Sequence, residues 1–331
     1  MSGANPGSVR LHHIMIILDD IKQAQKRIAP YVHRTPLVSN TTLSKQLNTN
    51  VYLKLELFQK TGSFKPRAAF SRMLKLNGDE RKRGVVAVSG GNFAQGVAFA
   101  AATLGIRATI IMPQSTPQNY VDATRGYGAQ IEFAPDVKAA FEAADEKKKR
   151  GAILMHPYDD PDVMAGDGTI GLEVIEDVPQ VTDVIISVGG GGLMSGITTA
   201  IKSLKPETRV WSVETEEANC LALALKEGKP VWMQPTSLAK TLGGPFASAD
   251  ALAITQRYIA QHVLVSDREA FEAQKVLMER AKIFAELAAA STLAAAYKLQ
   301  SNFRRDGHLV LIICGGNVAI NDLVKYHGIF G

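Results

Sequence analysis

Lys60-Thr61-Gly62-Ser63-Phe64-Lys65-Pro66-Arg67-Ala68-Ala69 is a turn-rich stretch that tips straight into a helix. Pro66 suits the first helical position, where its missing N–H costs nothing, and this puts Lys65 at the mouth of the helix. There the positive end of the helix dipole disfavours a second positive charge and favours the neutral amine. A lysine amine that can shed its proton is what Schiff-base chemistry needs. A solvated lysine at a helix start is the alternative for this residue in isolation, and its neighbours along the chain decide against it.

Three further motifs follow in order: Ser89-Gly90-Gly91-Asn92-Phe93-Ala94-Gln95-Gly96, Gly189-Gly190-Gly191-Gly192-Leu193-Met194-Ser195-Gly196, and Cys314-Gly315-Gly316-Asn317. With Ser63-Phe64-Lys65 they resemble the lysine motif, the asparagine loop, the phosphate cup and the pyridine-nitrogen element of one family. That family is the fold type II pyridoxal-phosphate enzymes, the tryptophan-synthase-β-like superfamily. The four motifs span residues 60 to 317, most of the chain. The continuation Ala94-Gln95-Gly96-Val97-Ala98 looks like the threonine/serine dehydratase branch.

The 331 residues are long for one core and suit two domains. An apolar fraction of 46% and a mean hydropathy of zero are those of a globular chain without membrane character. The net charge of +5 is scattered. Its one run, Lys147 to Arg150, reads as a solvated helix end and not as a nucleic-acid patch. Cys220 and Cys314 lack paired spacing, so neither a zinc site nor a disulfide framework is expected, and a reducing compartment is. Met1 to Gly7 reads as a short flexible leader without a signal-peptide core, and no apolar run approaches the ~20 residues that span a bilayer. The expectation is a cytoplasmic protein with a small-molecule substrate, no nucleic-acid or membrane partner, and a homodimeric state.

Short β-rich runs alternate with helical stretches, the pattern of an α/β protein with parallel sheets and helices on both faces. Strands are read at 85–88, 108–112, 130–133 and 152–155, with helices from Ala94 to near Gly105 and from Val137 to Arg150. A second series follows His156: strands at 184–188, 209–214 and 309–313, and helices through Ile201, from Asp267 to Ala281 and over 285–299. Ser266-Asp267-Arg268-Glu269 is a capping box. The domain reading is 1–80 plus 160–331 as a large cofactor domain, with 81–159 as a small domain carrying the asparagine loop.

Gly189 to Gly192 follow a strand and open a helix, so several backbone N–H groups can converge on an anion with the helix dipole behind them. The dinucleotide fingerprint is absent, because the sixth residue from Gly189 is Met194, and so is a Walker lysine. A tight strand-to-helix turn would also want glycine. The resemblance implies pyridoxal 5'-phosphate held by Phe64, Lys65, Asn92, Gly189 to Gly192, Leu193 and Cys314. It implies substrate contacts from Ser89, Gly90, Gly91, Asn92 and Phe93. Asn92 is also a good helix cap, and both roles can hold at once. Cys314 as a neutral partner of the pyridine nitrogen favours β-elimination over chemistry that needs a long-lived carbanion.

The departures from the family pattern are informative. Racemases of the group place a serine two residues before the loop asparagine; here that residue is Gly90, and racemisation is expected to be poor. Phe93 stands where dehydratases commonly carry histidine, which suits a larger or aryl β-substituent, and core filling is its other reading. Relatives bind a cation with a glutamate at Glu214, a carbonyl near Ala218 and an acid at the position of Cys220, a poor ligand for a hard cation. Lys240 replaces an acid nearby. No metal is expected, with a Glu214–Lys240 ion pair in its place and a surface lysine as the alternative.

The implied activity is that of a lyase, a pyridoxal-phosphate dehydratase or ammonia-lyase. It converts an L-β-hydroxy-α-amino acid of threonine, serine or phenylserine type to a 2-oxo acid and ammonia. Lys65 is the cofactor anchor and the base for the α-proton. The rival readings are a serine or aspartate racemase with side elimination, and a non-catalytic ligand-binding homologue.

Overall fold

The computed structural model describes residues 16–331; the leader Met1 to Gly7 lies outside the described residues. Among the described residues, ten strands form two sheets. The larger contains β1 (Leu37–Ser39), β2 (Asn50–Leu55), β7 (Asp183–Ser187), β8 (Arg209–Thr215), β9 (Ile259–Val265) and β10 (His308–Ile313). Its order is β1-β2-β10-β7-β8-β9, parallel throughout except for the antiparallel edge strand β1. The smaller sheet contains β3 (Val85–Val88), β4 (Ala108–Pro113), β5 (Gln130–Ala134) and β6 (Ile153–Met155) in the all-parallel order β5-β4-β3-β6.

Strands buried on both faces read as continuous apolar runs, as Val85-Val86-Ala87-Val88 and the Val184-Ile185-Ile186 centre of β7 do. Crossover helices cover the sheets, as parallel pairing requires. Two helices differ from their sequence reading. The Ser266 capping box forms, but its α-helix ends at Val276 and continues as a π turn, Leu277–Ala281, stopped by Lys282 at φ 60°. Lys65 itself is the first residue of the helix Lys65–Met73, with Pro66 second.

That lysine helix packs between the helices Asn92–Leu104 and Pro161–Asp177. Its Phe70 and Met73 share an apolar cluster with Phe93, Val97 and Met112 around the small sheet. On its other side Gly166 of the helix Pro161–Asp177 comes so close that an added Cβ would lie 2.4 Å from the Arg67 carbonyl oxygen. The C-terminal ends of β3, β7 and β10 lead into the asparagine loop, the glycine cup and Cys314 respectively. Ligand sites in open parallel sheets form at such ends.

Candidate active site

A cavity of about 280 Å³ brings together Phe64, Lys65, Ser89, Gly90, Gly91, Asn92, Phe93, Gly189 to Gly192, Leu193 and Cys314. Lys65 keeps partial exposure because it lines this cavity. Its Nζ donates to the Pro157 carbonyl at 2.9 Å and sits 4.6 Å from the Phe64 ring centroid and 5.3 Å from that of Phe93. Burial holds the amine below the ordinary lysine range, against the opposing pull of Asp167, Cys314 and Glu286. A depressed amine is a competent nucleophile and base.

The glycine cup forms the bare start of a helix. Gly191 is the N-cap of the helix Gly192–Leu204, has φ +99°, and no side chain caps that helix. A Cβ on Gly190 would lie 2.2 Å from the Tyr158 ring, and one on Gly191 would lie 2.3 Å from Ala251 Cβ. Side chains are therefore excluded, and the bare helix N-terminus offers its N–H groups and dipole to an anion. Cys314 is buried, its Sγ accepts from Ser187 Oγ at 3.5 Å, and burial pushes its thiol up to about 12. It is neutral at physiological pH. The depressed lysine, the uncapped cup and the neutral thiol fit pyridoxal phosphate at its amine-reactive, phosphate and ring-nitrogen ends.

Asn92 does not cap its helix: Gly91 is the N-cap, and Asn92 is the first residue of Asn92–Leu104. Its amide is drawn into a buried network instead. Asn92 Nδ2 donates to both oxygens of Glu286 at 2.9 and 3.1 Å, and its Oδ1 accepts from Asn317 Nδ2 at 2.8 Å. Thr241 Oγ1 also donates to Glu286, at 2.9 Å. Glu286 was not legible as a site residue, because a lone acid before an alanine-rich helix carries no motif.

Burial pushes the Glu286 carboxyl up to about 7 from 4.5, against donors Asn92, Thr241 and the Asn317 N–H. The folded state therefore binds this proton more tightly than the unfolded chain. The stability Glu286 contributes is present below pH 4.5 and is lost as pH rises through about 7, at most about 3 kcal/mol. Asp167, raised to about 7 chiefly by burial, acts with the same sign. Glu286→Gln is expected to flatten the fall in melting temperature between pH 5 and 8 relative to the wild type. An equally steep fall in the variant would place the titration elsewhere.

The expected Glu214–Lys240 ion pair is not formed. Glu214 is fully buried, its Oε2 lies 3.0 Å from His262 Nε2, and its oxygens accept the Leu221 and Ala222 N–H groups at 2.9 and 3.0 Å. The start of the helix Cys220–Glu227 thus receives the carboxylate. Ser212 pairs with His262 across β8 and β9, which sets the imidazole on the face that Glu214 shares with Ser212. Lys240 is exposed at the cavity rim. The buried Cys220 thiol donates to the Gly189 carbonyl at 3.2 Å, tying this group to the cup. Among the described residues no three His, Cys, Asp or Glu side chains gather as a metal cluster.

A reactive lysine between a bare phosphate cup and an asparagine loop, on parallel sheets, defines an enzyme of amine-carbonyl cofactor chemistry. Residues 28–315 match the family model described as pyridoxal-phosphate dependent enzyme, and the chain belongs to that family. It is 41% identical to the L-threonine ammonia-lyase of Thermotoga maritima over 93% of this chain and 77% of that protein. Among solved structures, a threonine deaminase from T.th. is similar at 36% identity and TM-score 0.85, covering 92% of this chain and 99% of that one. A maize serine racemase is similar at 30% identity and TM-score 0.89, covering 95% and 98%.

Proposed function

We propose that the protein is an ammonia-lyase that dehydrates an L-β-hydroxy-α-amino acid, of threonine, serine or phenylserine type, to a 2-oxo acid and ammonia. The observation that carries this reading is the Lys65 amine, held below the ordinary lysine range beside an uncapped glycine cup. Relatives named as threonine ammonia-lyase and threonine deaminase support it. The N–H groups of Gly189 to Gly192 and Leu193 would hold the cofactor phosphate, with Asn92, Phe64 and Cys314 about its ring. When bound, pyridoxal phosphate supplies an electron sink conjugated to the substrate α-carbon. Lys65 anchors it and takes the α-proton at Nζ. The Ser89 to Asn92 loop binds the substrate, and the neutral Cys314 thiol favours early loss of the β-hydroxyl. A homodimer in the cytoplasm, and two domains of residues 1–80 plus 160–331 and 81–159, belong to the same reading.

Ammonia release from serine, threonine, phenylserine and hydroxyaspartate tests the proposal, together with a yellow colour that borohydride bleaches. No release from any of the four would defeat it. Gly90 disfavours the racemase reading because it brings no side-chain acid or base to the loop. Phe93 is 2% exposed, and it both lines the cavity and packs in the small-sheet cluster. Phe93→His is expected to move relative specificity from phenylserine toward threonine by roughly 10- to 200-fold, about 1–3 kcal/mol. An unchanged ratio would leave Phe93 as core filling alone.

A further inference from the structure

The cup Gly189 to Gly192 strings four glycines together, the residues with the widest backbone freedom, so its peptide planes can turn over unless something holds them. A site for an anion needs them held, because a peptide that flips offers a carbonyl oxygen where an N–H stood. Two hydrogen bonds supply the hold. The Cys220 thiol donates to the Gly189 carbonyl at 3.2 Å, and the Ser248 N–H donates to the Gly190 carbonyl at 3.1 Å. Both donors stand outside the cavity wall: among the described residues Gly189 to Gly192 line the cavity, and neither Cys220 nor Ser248 does.

In a trans peptide the N–H points opposite to the C=O of the same plane. Fixing the Gly189 carbonyl toward Cys220 therefore turns the Gly190 N–H away from Cys220. Fixing the Gly190 carbonyl toward Ser248 turns the Gly191 N–H away from Ser248 in the same manner. Ser248 acts through its backbone, as the N-cap of the helix Ala249–Tyr258, whereas Cys220 acts through its side chain.

The thiol has one proton and a second acceptor in reach, Glu214 Oε1 at 3.5 Å. That oxygen already accepts the Leu221 N–H at 2.9 Å, and the Gly189 carbonyl is the nearer of the two. Burial first, and the Glu214 carboxylate second, push the thiol above the ordinary cysteine range, which keeps its proton in place for donation. A charged residue beside the thiol thus secures it as a donor.

We propose that Cys220 is a positioning residue for the cofactor: by holding the Gly189 carbonyl from outside the cavity, its thiol orients the Gly190 N–H for the phosphate of pyridoxal phosphate. The assignment rests on the reading that the glycine cup receives that phosphate, and it is independent of which amino acid is the substrate. Presetting the donor removes an ordering cost from binding, so the effect falls on cofactor affinity.

Titrating the apoenzyme with pyridoxal phosphate, and with pyridoxal, which keeps the aldehyde and ring but lacks the phosphate, gives the ratio of the two affinities. Cys220→Ala is expected to lower that ratio roughly 2- to 12-fold, the net worth of one hydrogen bond, with pyridoxal affinity near that of the wild type. Cys220→Ser keeps a donor at the same place and is expected to restore most of the ratio. A loss of packing alone would weaken both ligands together, and an unmoved ratio in Cys220→Ala overturns the proposal. So does a serine variant with a ratio as low as that of the alanine variant. A wild type that binds pyridoxal as tightly as pyridoxal phosphate overturns the proposal together with the phosphate-cup reading. A strong wild-type preference for the phosphate that Cys220→Ala leaves unchanged overturns the role of Cys220 alone.

Discussion

Replacing Lys65 by alanine is expected to lower ammonia release by several orders of magnitude and to leave the fold intact, because one amine serves as both cofactor anchor and base. The structural cost should be small. The amine makes one hydrogen bond, to the Pro157 carbonyl, and its burial already disfavours the charged form. The helix it opens is held by other residues: Phe70 and Met73 pack in the small-sheet cluster, and Arg67 enters a buried ion network. A melting temperature at or above that of the wild type, with colour and turnover both lost, is the expected pair of results. Turnover above a hundredth of wild type would remove Lys65 from its role. A collapse of the melting temperature would leave the loss of activity without chemical meaning.

The strands and glycine turns were legible because their physics is local. An apolar run ending in Gly-Gly followed by a helical pattern is a strand and a turn into a helix wherever it occurs, and the runs at 85–88, 108–112 and 184–188 all became parallel strands. Elements whose sequence answers to a distant partner were harder to read. The helix Pro161–Asp177 contains Gly166, Gly168 and Gly171, which argue against a helix on propensity. Each is there because another backbone or side chain passes close: added Cβ atoms would lie 2.4 Å from the Arg67 carbonyl oxygen, 2.9 Å from that of Gly196 and 2.8 Å from Ala200 Cβ. β2 carries Lys54, which looks solvent-facing in a strand and is in fact fully buried. The pairing of Glu214 with His262 instead of Lys240 depends on the register of β8 and β9, which no local signal announces. Glu286 shares this property, since its place beside Asn92 and Thr241 comes from what the fold sets next to it.

Arg67→Met is expected to destabilise the protein by about 3–5 kcal/mol, because it strips a buried charge network of its central cation. Arg67 is 1% exposed and lies two residues into the helix that Lys65 opens. Its Nε is 2.9 Å from Glu56 Oε2 and its Nη1 is 2.7 Å from Glu173 Oε1, and Lys54 Nζ reaches Glu173 Oε2 at 2.5 Å. Without the guanidinium, Glu173 keeps Lys54, but Glu56 keeps only the Thr35 hydroxyl among these side chains. The penalty is thus chiefly that of an uncompensated carboxylate at Glu56. Arg67→Met combined with Glu56→Gln should accordingly lose less than Arg67→Met alone, even though it removes more of the native network. Denaturant titrations of the two variants decide the matter, with Lys240→Met as an exposed control expected to change stability by no more than about 0.5 kcal/mol. If the double variant is the weaker of the two, the network contributes through packing and hydrogen-bond geometry and not through charge balance. The position of Lys65 would then depend on the shape of Arg67 more than on its charge.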